Sequence, residues 1–510
     1  MSIAVRNRHV QERRMRTEVA IVGSGIMGAI VAREVLRRRP GTRVTMIEAG
    51  PLGGEEPGRH LHSASDPGTR NSYREHVAAG VQSMYVGAAT AGAFESAASA
   101  TPGLYTFSAL GNDAAEMPAA ASAWNVGGMG SHWTAACPTP WGTEIPEAAA
   151  EDWDADYSRV RELLHITTDR FGPTPAGTAV LEALDEAFGP VCAPGRHPQV
   201  MPMGVFASHD ADRRRTDPST ILPGLGTPES PVTLLADTLV RRIVHEAGRA
   251  SGVETEDLRT GERRVVLADR VVVAADALRS PQLLFASGIR PPALGCYLNE
   301  HAFVTGRVFV EPQRLGDVEV PIPGEGEWMS DSLWIPHSGE AQPFHWQIGI
   351  GPMYSEDLSR AEAMSVGISV YVPTEVRAAS RISFSDADTD ALGMPRATIH
   401  YDYTDADRAL IEQATRAQRA AFEAIAGPDA VGNTLLLPPG SSLHYSGTVR
   451  SGLADDETAV VDPDGRVRGV DGVYVAGNGV LPTAVVGNVT SAGAVTAVRA
   501  ARALVRDLDA

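Results

Sequence analysis

The chain has 510 residues, 43% of them hydrophobic and 21% charged, and a formal net charge of −19. That length exceeds one ordinary core and predicts two domains, while the acidic balance excludes nucleic acid and anionic membrane as partners, since both need basic surface. No apolar run reaches the ~18 residues of a membrane helix, and Cys137, Cys192 and Cys296 form neither a paired framework nor a metal-binding spacing, which predicts a cytoplasmic protein without a metal.

In "MSIAVRNRHVQERRMRTEVAIVGSG" the arginines precede a short apolar run that passes straight into glycines, without the small-residue cleavage site of a secretory leader. "TEVAIVGSGIMGAIVAREVLRR" then reads as strand, tight turn and helix. Val19 to Val22 form the strand, Gly23, Gly25 and Gly28 follow as G-x-G-x-x-G, and the helix runs from about Ile26. Gly23 makes the turn, Gly25 admits a phosphate to the free N–H groups of the helix, and Gly28 lets helix and strand pack closely. A second strand ends at Glu48, 20 residues beyond Gly28, the expected gap to a ribose-binding acid. Nicotinamide and flavin dinucleotides both remain open from this motif alone.

Gly58 to Ala123, rich in Ala, Ser and Gly, lacks periodicity and predicts a long loop or lid. "NVGGMGSHWT", Asn125 to Thr134, follows, with glycines that let backbone approach a flat ring and a histidine beside a tryptophan. From Ser230 the chain reads as a meander ending in a buried strand, Val271 to Ala275, with a helix expected from Ser280-Pro281 and the proline in its first turn. Short alternating runs come next: "RVFVEP", "FHWQIGI", "SVGISVYV", "RISFS" and "RATIHYDY", which predict an antiparallel sheet, then the charged helix "DADRALIEQATRAQRAAFEAIAG". Within "PFHWQIGIGPMY", Phe344 and Trp346 fall on one face and His345 and Gln347 on the other. Finally Val473 to Ala476 form a buried strand, Gly477-Asn478-Gly479 turn back toward the dinucleotide, and a long helix closes the chain with Asn488 to Ser491 at its head. A cofactor domain assembled from separated segments favours flavin over nicotinamide.

Five stretches in order, "GSGIMG" with Glu48, "GGMGSHWT", "VVVAADALRSPQLL" with "LGCYLNEH", "SLHYSGTVRSG" and "GNGVLPTAVVGNVT", resemble the glucose-methanol-choline (GMC) oxidoreductases from Thr17 onward. The resemblance is nearest to pyranose oxidases and bacterial C-glycoside 3-oxidases, through "SHWT", "HWQI" and "ALGMPRATIHYDY". It implies an α/β (α+β overall) architecture, with a Rossmann-like FAD-binding domain and an antiparallel-sheet substrate domain, as in p-hydroxybenzoate-hydroxylase-like folds. The expected boundaries are 17–57, 121–144, 231–302 and 440–510 for FAD, 145–230 and 303–439 for substrate, and 58–120 for the lid.

The resemblance also implies residue roles. FAD contacts fall on Gly23, Ser24, Gly25, Met27, Gly28 and Glu48, on Gly128, Ser131, His132, Thr134 and Ala135, on Val240 and Ala275, and on Asn478, Gly479, Asn488 and Thr490. His132 matches the histidine that carries flavin covalently in pyranose oxidases, and Thr134 sits near the flavin's reactive nitrogen. His444 matches the catalytic base, and Asn488, 44 residues on, matches its partner that orients the substrate oxygen. Gln347 and His345 are expected at the sugar, Gln347 matching a sugar-contacting glutamine. Two departures stand out: Thr448-Val449-Arg450-Ser451-Gly452 replaces a second histidine and an Arg-Met-Gly run, and Val489 replaces a proline. Positions that are acidic or arginine in pyranose oxidase substrate loops are Gly351 and Ser369 here.

The reading is thus an FAD-dependent oxidase of a sugar or glycoside, attacking carbon 3 of glycosides or carbon 2 of free pyranoses and reducing oxygen to hydrogen peroxide. A dehydrogenase that passes electrons to quinone is the enzymatic alternative. A non-catalytic flavoprotein sensor is disfavoured by the presence of both His444 and Asn488.

Overall fold

The computed structural model describes residues 15–53, 56–68, 70, 103–206, 213–322, 327, 329–354 and 361–510. Its first sheet has seven strands drawn from three regions of the chain. Met15–Val22 pairs in parallel with Val44–Ile47 on one side and with Arg263–Val273 on the other. Thr233–Leu235 extends the sheet in parallel beyond Val44–Ile47, and Val473–Val475 joins the end of Arg263–Val273. The antiparallel strands Thr238–Glu246 and Arg249–Asp257 complete it. Val19 to Val22 are covered on both faces, which is why they read as an unbroken apolar run. On one face the helix Ile26–Arg38 packs against the C-terminal helix Thr490–Asp509, burying Ile30, Val31 and Val35 with Val498, Ala501 and Leu504. A Cβ on Gly28 would lie 2.1 Å from the Gly23 carbonyl oxygen, so the close helix–strand approach excludes any side chain there.

The second sheet is antiparallel and six-stranded, in the order Asn433–Leu436, Ala302–Val310, Ala361–Val372, His345–Tyr354, Asp331–Ile335, Gln199–Val200. Its alternation puts Val304, Val308, Ile348, Val366, Ile368 and Val370 into a core shared with the helix Asp405–Ala426. That helix begins at a capping box, with Thr404 Oγ1 accepting from Asp407 N and the Asp407 carboxylate accepting from Thr404 N. The opposite face of the sheet is free to line a cavity.

Three local expectations are corrected. "RISFS" and "RATIHYDY" do not join the main sheet; Arg381–Thr389 and Pro395–His400 form their own ribbon, tied to Asn112 and Gly295. A period of two reports a strand without naming its partner. The helix expected at Ser280 starts at Asp276, whose carboxylate takes the N–H groups of Leu278 and Arg279 at 2.6 and 2.8 Å. Pro281 therefore lies inside the helix Asp276–Ala286, where it cannot supply the N–H that would pair with the Ala277 carbonyl. The Thr448 hydroxyl donates to that carbonyl instead. The last helix starts at Thr490, so Asn488 stands just outside it rather than at its head.

Of the stretch read as a lid, residues 71–102 lie outside the described residues, while Leu104–Thr106 pairs with Ala121–Ala123. Among the described residues, no helix is long and apolar enough to cross a membrane.

Candidate active site

Between the two sheets lies a cavity of about 720 Å³ that runs from the Gly23–Gly25 turn to His444 and Asn488. At the turn, Gly25 is the N-cap of the helix Ile26–Arg38, with no side chain capping it and no acid in the first turn, so the positive helix end stays open to a pyrophosphate. Glu48 lines the cavity and accepts from Ser24 N (3.0 Å), Ser24 Oγ (2.7 Å) and Gly50 N (3.0 Å), while burial pushes its carboxyl above the usual range. Asn478, in the turn between Gly477 and Gly479, lines the same cavity, and its Oδ1 is buried without a hydrogen-bond partner among the described residues. An open helix end, a buried acid at the second strand and an unsatisfied amide oxygen fit FAD.

Gly23, Gly25, Met27, Glu48, Gly128, His132, Thr134, Val240, Ala275, Asn478, Asn488 and Thr490 all line this cavity. Ser24, Gly28, Ser131, Ala135 and Gly479 stand behind its wall. Ser24 joins Glu48 to the Gly127 N–H, Ser131 Oγ meets the Asn125 amide, the Ala135 carbonyl accepts from Gly204 N, and the Gly479 carbonyl accepts from Val449 N.

His132 closes a short 3-10 turn, Gly128–Ser131, that left-handed Gly127 opens. Its Nε2 lies 3.1 Å from Asn125 Oδ1, and the Asn125 amide group donates to the Val126 carbonyl. The oxygen of Asn125 therefore faces the ring, Nε2 carries the hydrogen, and Nδ1 carries the lone pair. Burial pulls the His132 pKa down to about 4, so the ring is neutral.

The His444 end of the cavity is a chain of polar contacts. Val485 carbonyl oxygen accepts from His301 Nε2, which leaves His301 Nδ1 without a hydrogen. That atom lies 3.3 Å from His444 Nδ1, so His444 donates there and its Nε2 keeps a lone pair. His444 Nε2 in turn is 3.2 Å from Asn488 Nδ2, which donates to it. Every link agrees on the same tautomer: the His444 nitrogen that faces Asn488 carries no hydrogen. Burial and then the neighbouring histidine rings hold His444 well below the ordinary histidine range, and burial brings His301 to about 4.

Glu300 sets the loop that carries His444. Its carboxylate accepts from Gly440 N, Ser442 N and Ser442 Oγ, and Ser442 Oγ accepts from His444 N at 3.2 Å. Burial pushes the Glu300 carboxyl up to about 7. Glu300 and His301 sit in "LNEH", two adjacent titratable residues in a turn-rich stretch, and this adjacency was the available sequence signal. Tyr371 carried no such signal; its ring packs against His301, His345 and His444, and its hydroxyl donates to Gln347 Oε1 at 3.3 Å.

Gln347 lines the main cavity, with its amide N–H₂ turned from Tyr371, whereas His345 does not. His345 is 1% exposed and lines a separate small void behind Asn488 with Glu144, Arg196 and Trp334. Strand alternation does place both on one face, but the sheet passes behind Asn488 at His345, so that ring supports the asparagine rather than meeting the main cavity. Gly349, Gly351, Gly367 and Ser369 give the roof a floor of small residues.

Two family models, each described as GMC oxidoreductase, match residues 137–303 and 376–497. A C-glycoside 3-oxidase of Microbacterium trichothecenolyticum is 37% identical over 97% of this chain and 98% of its own. The chain belongs to the GMC oxidoreductase family. A C-glycoside 3-oxidase of Arthrobacter globiformis is likewise similar, 38% identical over 96% of this chain and 95% of its own. In fold, a GMC oxidoreductase structure, the formate oxidase of Aspergillus oryzae, superposes with a TM-score of 0.66 at 13% identity, covering 97% and 99% of the two chains. As a GMC oxidoreductase the protein is an FAD-dependent enzyme acting on CH–OH groups.

Proposed function

We propose that the enzyme oxidises a secondary ring hydroxyl of a glycoside, at carbon 3 and with C-glycosides among its substrates, using oxygen as the acceptor and yielding hydrogen peroxide. The observation that carries this reading is the hydrogen-free Nε2 of His444 beside Asn488, at the end of a cavity that Gly349, Gly351 and Gly367 also line. FAD, when bound, supplies the acceptor for the carbon-bound hydride. The chain's part is to hold the hydroxyl between Asn488 and His444, with His444 Nε2 taking its proton as the hydride leaves. Proton acceptance makes an imidazolium, whose Nδ1–H is already directed at His301 Nδ1, so no ring has to turn. Gln347, braced by Tyr371, offers amide hydrogens to other ring hydroxyls.

The small side chains at Gly351 and Ser369 favour glycosides over free glucose, because larger polar groups there would crowd the anomeric substituent. We propose also that His132 is the attachment point for the flavin, through its position 8 methyl: a neutral ring with one nitrogen held by Asn125 presents the other as a nucleophile. The test of the whole reading is anaerobic bleaching of the flavin by a panel of glycosides and free sugars, followed by air, peroxide assay and NMR of the product. A 3-keto glycoside with peroxide is expected. An aldehyde or lactone product would overturn the ring-hydroxyl geometry, and reoxidation by quinone but not by air would make the enzyme a dehydrogenase.

A further inference from the structure

The cavity-facing side of the second sheet is ordered in rows. Nearest the catalytic end, Phe303, Tyr371 and His345 lie opposite one another across three strands. The next row is Thr305, Ser369 and Gln347, the third is Arg307, Gly367 and Gly349, and the outermost is Phe309, Ser365 and Gly351. Arg307 is thus four residues from Phe303, roughly 13 Å along the strand, beyond the reach of one pyranose ring held at His444. Its side chain lines the cavity, and Phe309, 51% exposed, stands next to it on the outer side.

Two facts mark Arg307 out. Its backbone N–H is bonded to Asn433 Oδ1, but its half-buried guanidinium has no hydrogen bond or ion pair among the described residues. Asn433 is its neighbour on one side, while on the other the next two residues of its row, Gly367 and then Gly349, are both glycine, and protein packing does not demand this at Gly349, where a Cβ would meet nothing nearer than Met329 Sδ at 3.9 Å. At Gly349 the absent side chain therefore leaves room for something other than the described residues. In a chain of net charge −19 the general field repels anions, so a negatively charged ligand needs a local cation to be admitted.

We propose that Arg307, with Phe309 and the Gly349–Gly367 floor, forms a distal subsite that selects glycosides whose aglycone is aromatic and carries a full negative charge at neutral pH. The proposal rests on the glycoside reading above and makes Arg307 a specificity-determining residue of that site. The planar guanidinium would pair with the acidic group while the aromatic body lies over the glycines and against Phe309.

The test compares 4-carboxyphenyl β-glucopyranoside with its neutral 4-carboxamide in the flavin-loaded enzyme. The carboxylate is expected to have a kcat/KM higher by about tenfold or more, carried mostly by KM, since charge-assisted pairs exceed neutral ones. Arg307→Gln should bring that ratio to about one, and Arg307→Lys should keep part of it. A ratio near one in the wild type, or one unchanged by Arg307→Gln, overturns the subsite. If neither compound reduces the flavin, binding is read from the perturbation of the flavin absorbance. Tighter carboxylate binding that disappears in Arg307→Gln then upholds the subsite, and the glycoside reading is decided separately by the panel above. Binding that is equal or absent overturns the subsite.

Discussion

His301 and His444 meet through their Nδ1 atoms at 3.3 Å, and a carbonyl behind His301 decides which of the two carries the hydrogen. Because the Val485 oxygen can only accept, the direction of every later bond follows from it. With His444 as the proposed base, His301 would act as its positioning residue. His301→Ala is expected to retain flavin and fold but to reduce it about 10–100-fold more slowly, the usual cost of losing a partner that orients a reactive histidine. The readout that separates positioning from a general structural fault is the pH profile, which should shift for His301→Ala while its melting temperature stays near that of the wild type.

His444→Ala should lose flavin reduction by roughly 10²–10⁴, the worth of a positioned base. Asn488→Ala should lose less, since the base survives and only the hold on the hydroxyl goes. Stopped-flow reduction under anaerobic conditions checks both, and near-normal reduction by His444→Ala would place the base elsewhere.

Acid should act on stability before it acts on the base. His301 titrates at about 4 in the folded chain against about 6.5 unfolded, and His444 is also depressed. Between those values the unfolded chain binds protons that the folded one refuses, so stability is fully present above about pH 6.5 and falls as pH drops toward 4, by up to about 1.4 kcal/mol per pH unit for each such group. Glu300 has the opposite sign over its own window: with a carboxyl raised to about 7, it contributes stability at low pH that declines as pH rises from about 4.5 to 7. Denaturation midpoints measured from pH 4 to 8 should therefore fall on the acid side, and Glu300→Gln should steepen that fall. The pH profile of flavin reduction should show no fall across the ordinary histidine range, because His444 is held well below it.

Thr448→Val keeps the shape of the side chain but removes the donor that satisfies the Ala277 carbonyl freed by Pro281. Leaving a buried carbonyl unpaired should cost about 1–3 kcal/mol, seen as a lower urea midpoint at unchanged slope. Pro281→Ala in the same chain should return part of that loss, because the helix regains its own N–H.

Covalent flavin is decided by acid precipitation. Yellow colour is expected in the wild-type pellet and in the His132→Ala supernatant. Colour in the wild-type supernatant would remove the bond.

How far the sequence was readable follows from which signals are local. The Gly23–Gly28 turn with Glu48 could be read because strand, turn and helix adjoin in the chain, and their spacing is a property of one unit. The pair His444 and Asn488 came from a resemblance, and the structure does bring them within 3.2 Å. His301 was present in "LNEH" yet unassigned, because its meaning depends on a carbonyl 184 residues away. The helix start at Asp276 was misjudged because proline is expected in a first turn, whereas here Thr448, distant in sequence, supports it in the interior. His345 was misplaced because alternation gives a face and not the depth at which that face meets its neighbours.

The seven-stranded sheet has a further consequence for how the protein comes into being. The strand that holds Val273 against the glycine turn is flanked by Val473–Val475, and the first helix lies against the helix Thr490–Asp509. During synthesis the nucleotide-facing turn emerges first, but the wall opposite it does not exist until some 450 residues later. Until the helix Thr490–Asp509 has been made, the apolar face of Ile26–Arg38 stays uncovered, so the cofactor cradle should order only after that helix is synthesised. Holoenzyme yield should thus be more sensitive to substitutions in the Ala492–Leu504 face than their distance from the chemistry suggests.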